Sequence, residues 1–239
     1  MKLRMQITKD KDIRFISHLE YVRTIGRAIR RAKLPAAYSE GFNPHLKFSL
    51  ASALGVGVVS YTEFVEIELA EPMEVEKAAL ALDAALPRGI RVLAADAVDT
   101  HHAALMSQAA GASYRVTLPY SKDVSVAVAE FNAAPELLFK KAAPKTKAKF
   151  KDIDVKFYIP QLTAEQTETE TIFSFDCKIT PTGSMKAVDL LNALNEQYGL
   201  ALPVEMADIE RLRLYRNNKN GKPIPMLNKR AKPAQCFAD

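Results

Sequence analysis

The chain has 239 residues, 48% of them hydrophobic, which is enough for one large core or two modest ones. Its 33 Lys and Arg against 28 Asp and Glu give a net charge of +5 and a pI near 9.1, a lean towards polyanions that the placement of the charge has to decide. Cys177 and Cys236 alone cannot supply a cysteine-rich zinc site or an iron–sulfur cluster; no run is apolar enough to span a membrane, and no signal-peptide pattern follows Met1, so the expected address is the cytoplasm.

Residues 2–7 alternate, with Leu3, Met5 and Ile7 on one face, and predict a strand followed by the charged turn Lys9-Asp10-Lys11-Asp12. Ser17-x-x-Glu20 is a capping box, with Ile16 before it as a hydrophobic staple, and starts a helix that Pro35 stops. The run Ser39, Gly41, Phe42, Asn43, Pro44 is turn chemistry, and residues 46–50 read as a short strand. After the bend Gly55-Val56-Gly57, residues 63–69 alternate, with Val65, Ile67 and Leu69 opposite Glu66 and Glu68, which predicts a sheet with one wet face. Glu63, which opens that strand, reads by default as a surface carboxylate, with pairing to one of the arginines or contact with a ligand as the alternatives. A second helix runs from Pro72 to Leu86, and an apolar strand covers residues 90–98.

Residues 100–113 read as a connecting helix or linker, and the order then repeats. Strands are predicted over 114–118, 153–162, 171–179 and 209–215, helices over 122–132 and 184–198, and an additional short strand over 136–140. The expected fold class is α+β, with two tandem ferredoxin-like (βαββαβ) halves and mostly antiparallel sheets. Its expected divisions are residues 1–100, a connection over 101–113, residues 114–216 and a basic tail over 217–239. Phe157, Tyr158, Phe173 and Phe175 alternate along predicted strands, and without an RNP1 pattern they are expected to pack in the core. Two stretches read as mobile and cationic: Lys140, Lys141, Lys145, Lys147, Lys149 and Lys151 with Pro144, and the tail with Lys219, Lys222, Lys229, Arg230 and Lys232.

The strongest functional signal is in the first helix. At about 100° per residue, Arg23, Arg27 and Arg30 share one side with Arg31 slightly further round, while Val22, Ile25, Ile29 and Ala32 take the other. Guanidinium forks a helical turn apart suit a phosphate backbone. The adjoining turn offers Asn43, His45 and Lys47 as further contacts. His18, at the edge of the apolar face, reads as a buried histidine that fixes the helix to the sheet. With His45 it also makes a candidate pair for general acid–base cleavage of RNA without a metal. His101-His102 are adjacent rather than three or four residues apart, and carry no metal motif. Neither a cofactor nor a metal is expected.

In Arg14-Phe15-Ile16-Ser17-His18-Leu19, Arg23, Arg27-Ala28-Ile29-Arg30-Arg31-Ala32, Tyr38-Ser39-Glu40-Gly41-Phe42-Asn43-Pro44-His45-x-Lys47 and residues 55–63, the chain resembles the radical-SAM-linked protein family, an uncharacterised bacterial group. That resemblance implies a gene beside, or fused to, one for a radical SAM protein, and hence a working partnership. The chain has no Cys-x-x-x-Cys-x-x-Cys run, so radical SAM chemistry would come from the partner. The leading expectation is therefore an RNA-binding accessory protein, itself non-catalytic, that presents an RNA such as tRNA or rRNA to a radical SAM modifying enzyme. Two alternatives stand beside it: a metal-independent endoribonuclease using His18 or His45, similar in fold to CRISPR RNA-processing enzymes, and a protein-binding module whose arginine face docks the partner.

Overall fold

The structure, a computed structural model, describes residues 1–99, 103–142 and 149–227. The alternation of Leu3, Met5 and Ile7 produces β1 (Lys2–Lys9), and a 3-10 turn over Lys11–Ile13 leads to Ser17. α1 (His18–Arg31) starts on the capping box: the Glu20 amide donates to Ser17 Oγ at 3.2 Å, and the Ser17 amide donates to the Glu20 carboxylate at 2.8 Å. The helix is capped at Ala32, ahead of Pro35. β2 (Phe48–Leu50), β3 (Val58–Glu68), α2 (Val75–Ala85), β4 (Val92–Val98) and the one-turn α3 (Leu105–Gln108) follow. Then come β5 (Gly111–Leu118), α4 (Ser125–Ala133), β6 (Leu138–Ala142), β7 (Phe150–Asp154), α5 (Val155–Tyr158) and β8 (Leu162–Gln166). β9 (Thr171–Thr180), β10 (Gly183–Ser184), α6 (Ala187–Tyr198), β11 (Asp208–Asn217) and β12 (Pro223–Pro225) complete a mixed α+β fold.

The chain divides into two compact units, Met1–Ala110 with the segment from Leu214 onward, and Gly111–Arg213. In the first unit β2, β3, β1 and β4 lie side by side in that order, each neighbouring pair antiparallel. Leu3, Met5, Ile7, Val65 and Ile67 of the sheet bury one face against Tyr21, Ile25 and Ile29 of α1 and Leu82 of α2. Each fully buried aliphatic side chain there contributes about 1.5–3 kcal/mol, so the sheet face and the two helices stand or fall together.

The opposite face departs from the sequence reading. Glu68 stays partly exposed, but Glu66 is only 6% exposed; Glu63, which alternates with Val65 and Ile67 on the other face, is only 1% exposed, so neither is a surface carboxylate. Arg4, directly opposite Glu66 in register, donates to Glu66 Oε2 at 2.8 and 3.2 Å and to the Met226 carbonyl at 2.8 Å. The stretch after Asn217, expected as a mobile tail, folds back: β12 pairs with β11 through Tyr215↔Pro225, and Met226 and Leu227 are buried. Alternation alone could not foresee that returning chain. Lys229, Arg230, Lys232 and Cys236 lie outside the described residues, as do His101 and His102.

In the second unit β9 pairs with β5 along one edge and with β8 and β10 along the other, all antiparallel, while β6 and β7 form their own hairpin. The single strand predicted over 153–162 is broken. The Asp154 carboxylate accepts the Lys156 amide at 3.0 Å and starts α5, and Pro160 separates that turn from β8. Phe173 and Phe175 are core residues as expected, but Phe157 stands half exposed on α5 against Tyr158, ring centres 5.0 Å apart. Of the lysine run, Lys140 and Lys141 are on β6 and Lys151 on β7; Lys141 pairs with Asp189 at 2.5 Å, and Lys145 and Lys147 lie outside the described residues. Cys177 is buried, and burial pushes its thiol pKa up to about 11, which leaves it an inert packing residue. No described helix is long and apolar enough to cross a membrane.

The capping box gives the first test. Ser17→Ala is expected to lower stability in urea melts by about 1 kcal/mol. Hydrogen bonds from the Ser17 amide, and then its hydroxyl, hold the Glu20 carboxyl below its ordinary value of 4.5. Its contribution is therefore complete above that value and lost as pH falls through the depressed folded value. The stability difference between the natural chain and Glu20→Ala should close on acidification.

Candidate nucleic-acid interface

α1 divides cleanly. Tyr21, Ile25, Gly26, Ala28 and Ile29 are buried, whereas Arg23, Arg27, Arg30 and Arg31 are all exposed. Among the described residues none of these four guanidinium groups has an ion-pair or hydrogen-bond partner. Arg30 and Arg31 sit in the last turn, where a cation complements the helix dipole, so part of their presence is explained by the helix itself. Arg23 and Arg27 are mid-helix and have no such account. From Arg23 to Arg30 the row runs about 10 Å along the axis.

The chain after the helix forms an arm beside it. Ala36 bridges Leu69 and Tyr38 bridges Leu46; the Lys47 amide donates to the Ala37 carbonyl and the Ser39 amide to the His45 carbonyl, each at 2.8 Å. The His45 amide donates to Ser39 Oγ at 3.0 Å, which closes the arm around an exposed tip over residues 40–44. Gly41 turns that tip at φ +111°, a conformation costly for any other residue. The arm is tied to α1 through β2: a Cβ on buried Gly26 would come within 3.3 Å of Phe48 Cζ, so the Phe48 ring of β2 packs directly against the helix backbone there.

The start of α1 is fixed by a buried cation. Lys9, 1% exposed, donates from Nζ to the carbonyls of Arg14 at 2.9 Å, Ile16 at 3.1 Å and Gly55 at 3.2 Å. The Gly57 amide adds a bond to the Arg14 carbonyl at 2.8 Å, and the Tyr21 hydroxyl donates to the Thr8 carbonyl at 2.6 Å. These bonds make Gly55-Val56-Gly57 a structural turn, as its sequence suggests, and hold Phe15 outward at 69% exposure, with the Arg14 guanidinium 4.9 Å from its ring centre.

The predicted residues fall into two groups. Arg23, Arg27, Arg30, Arg31, Asn43 and His45 are all exposed on the first unit. Lys47 is also at the surface, but pairs with Glu68 at 3.4 Å, an exposed contact that weighs little. His18 is half-buried at the first position of α1, close to the Lys9 end of β1. His45 lies at the other end, where Ala37 meets Glu68 and Glu68 meets Lys2. With a strand of about 23 Å between those ends, the two imidazoles do not share one scissile bond. No group of three His, Cys, Asp or Glu among the described residues is placed to hold a metal. The sequence reading passed over Lys9, Phe15 and Phe42. For Phe42 the signal was present: an aromatic inside a Gly-Phe-Asn-Pro turn has no core to enter.

A family of bacterial proteins matches residues 2–189, most of the chain including α1 and the arm. The chain belongs to that family, described as "Uncharacterized protein conserved in bacteria (DUF2344)". No curated protein matches this DUF2344 member in sequence. Among solved structures it is similar to a chain of "Crystal Structure of a Cbf5-Nop10-Gar1 Complex", with TM-score 0.47 and 13% identity over 89% of its length. It spans about half of that chain, 48%. It is also similar to "Crystal Structure of an Unknown Protein from Galdieria sulphuraria", with TM-score 0.25, 14% identity, and coverage of 87% of this chain and 95% of that one. Likenesses at these scores carry no argument about function.

In this DUF2344 member the Lys9 clamp is open to direct test. Lys9→Met keeps the stem and strands three carbonyls, and is expected to cost about 3 kcal/mol in chemical denaturation. Hydrogen exchange should quicken first at the Gly57 amide.

Proposed function

We infer that this DUF2344 protein is an RNA-binding accessory protein that presents its RNA to a radical SAM modifying enzyme and is not itself the catalyst. One observation carries the reading: among the described residues Arg23 and Arg27 stand in solvent at mid-helix with no hydrogen bond or ion pair and no helix-dipole role, Arg23 acting only as a nearby charge on exposed Glu20. Exposed guanidinium groups that hold no hydrogen bond or ion pair are available to an external anion, and a row of forks one turn apart fits successive phosphates. Asn43 and His45 on the adjoining arm extend that surface. The radical SAM partnership rests on the family resemblance of these same motifs, and the order β2, β3, β1, β4 with its two crossover helices supports reading the first unit as ferredoxin-like. The endoribonuclease alternative draws no support from a histidine pair, because main-chain and Lys9 hydrogen bonds tie the His18 end of α1 and the His45 arm to opposite ends of β1.

Filter binding with mixed RNA is expected to show affinity that falls about 10-fold or more between about 50 and 200 mM salt, and Arg23→Glu with Arg27→Glu should abolish it. Affinity that is absent or indifferent to salt refutes the polyanion reading. The partnership has a separate test, co-elution of the purified chain with the radical SAM protein encoded beside it. If the double variant loses that complex while RNA affinity is unchanged, the arginine face is a protein-docking surface.

A further inference from the structure

We propose that the RNA engaged by the arginine face is single-stranded, with unpaired bases stacking on Phe15 and Phe42 at the two ends of α1. This rests on the polyanion reading of that face and adds what the arginines alone leave open, the form of the nucleic acid. Four aromatic side chains are exposed among the described residues of the first unit: Phe15, Tyr38, Phe42 and Tyr61. Tyr61 is engaged, donating to Asp10 at 3.1 Å. The other three flank the arginine helix. Phe15 immediately precedes its cap, 69% exposed and 4.9 Å from the Arg14 guanidinium. Phe42 is fully exposed, at 106% of the reference area, on the arm that leaves just past the C-terminal end, and Tyr38, at 47%, stands at the base of that arm.

A phenylalanine with no part of its ring covered contributes nothing to the fold. Phe42 is such a ring, and Phe15, mostly exposed beside the Arg14 guanidinium, precedes the arginine helix that the Phe42 arm follows; together with the helix's cations they offer the two components of single-strand recognition, aromatic faces for bases and a basic track for the backbone. An A-form duplex offers these rings nothing, because its bases are stacked on one another and its major groove is too narrow to enter. The aromatics are also held rather than loose. The Lys9 clamp and the Gly57 amide fix the chain on both sides of Phe15, and the Ser39–His45 hydrogen bonds fix the base of the Phe42 tip.

The test uses the full chain and fluorescence anisotropy with a labelled oligouridine and with a duplex RNA of equal length and mixed sequence. The single strand is expected to bind at least about 10-fold more tightly, and Phe15→Ala and Phe42→Ala each to weaken it about 10-fold without changing the salt slope. Phe42→Trp should retain binding, and unchanged melting of the alanine variants shows that they fold. Equal affinity for both RNAs with neutral Phe variants overturns the stacking proposal, while loss of binding in Arg23→Glu with Arg27→Glu would leave the polyanion reading standing. No salt-dependent binding to either RNA overturns both. If Phe42→Ala abolishes a complex with the radical SAM protein and leaves RNA binding unchanged, the rings belong to a protein interface and the proposal fails.

Discussion

The geometry of the arginine face depends on one buried ammonium. Lys9 ends β1 on the core side of the sheet, where a charge without partners would be expensive, and it directs three hydrogen bonds to carbonyls of the helix entry and the Gly55 bend. Those carbonyls belong to segments with no ladder of their own to satisfy them. One side chain therefore sets where α1 begins, and through that the direction in which Phe15 and the arginine row point.

The cations of the first unit serve two opposite purposes. Arg4 and Lys9 are spent internally, on Glu66, Met226 and the entry carbonyls, and they hold the chain together from both faces of β1. Arg23, Arg27, Arg30 and Arg31 are left outside, on a helix whose other side is pinned by Ile25 and Ile29. A net charge of +5 says nothing of this division. What matters is that the sheet consumes the cations it needs and the helix surface keeps the rest.

The arm completes the surface by a different device. Its base is anchored by Ala36 and Leu46 in the core, by main-chain bonds to β3 and by Ser39, and β2 leads it against α1 where Gly26 leaves room for the Phe48 ring. A short rigid loop on a packed scaffold is how proteins hold polar and aromatic contacts ready for a ligand, because little ordering entropy remains to be lost on binding.

Local chemistry determined the capping box, the amphipathic division of α1, the strands of the first unit, the turn at residues 39–44 and the exposure of the four arginines, since each is governed by residues within a few positions of one another. The break at Asp154 and Pro160 was also local and was obscured by a β-rich composition around it. Tertiary structure alone decided the fate of Glu63 and Glu66, the folding back of the chain after Asn217, the placement of His18 away from His45, and the clamp made by Lys9. Each of those turns on groups brought together from distant parts of the chain: Arg4 meets a carbonyl at Met226, and Lys9 meets one at Gly55. A charged side chain carries no local mark that says whether its partner will be water or a buried carbonyl.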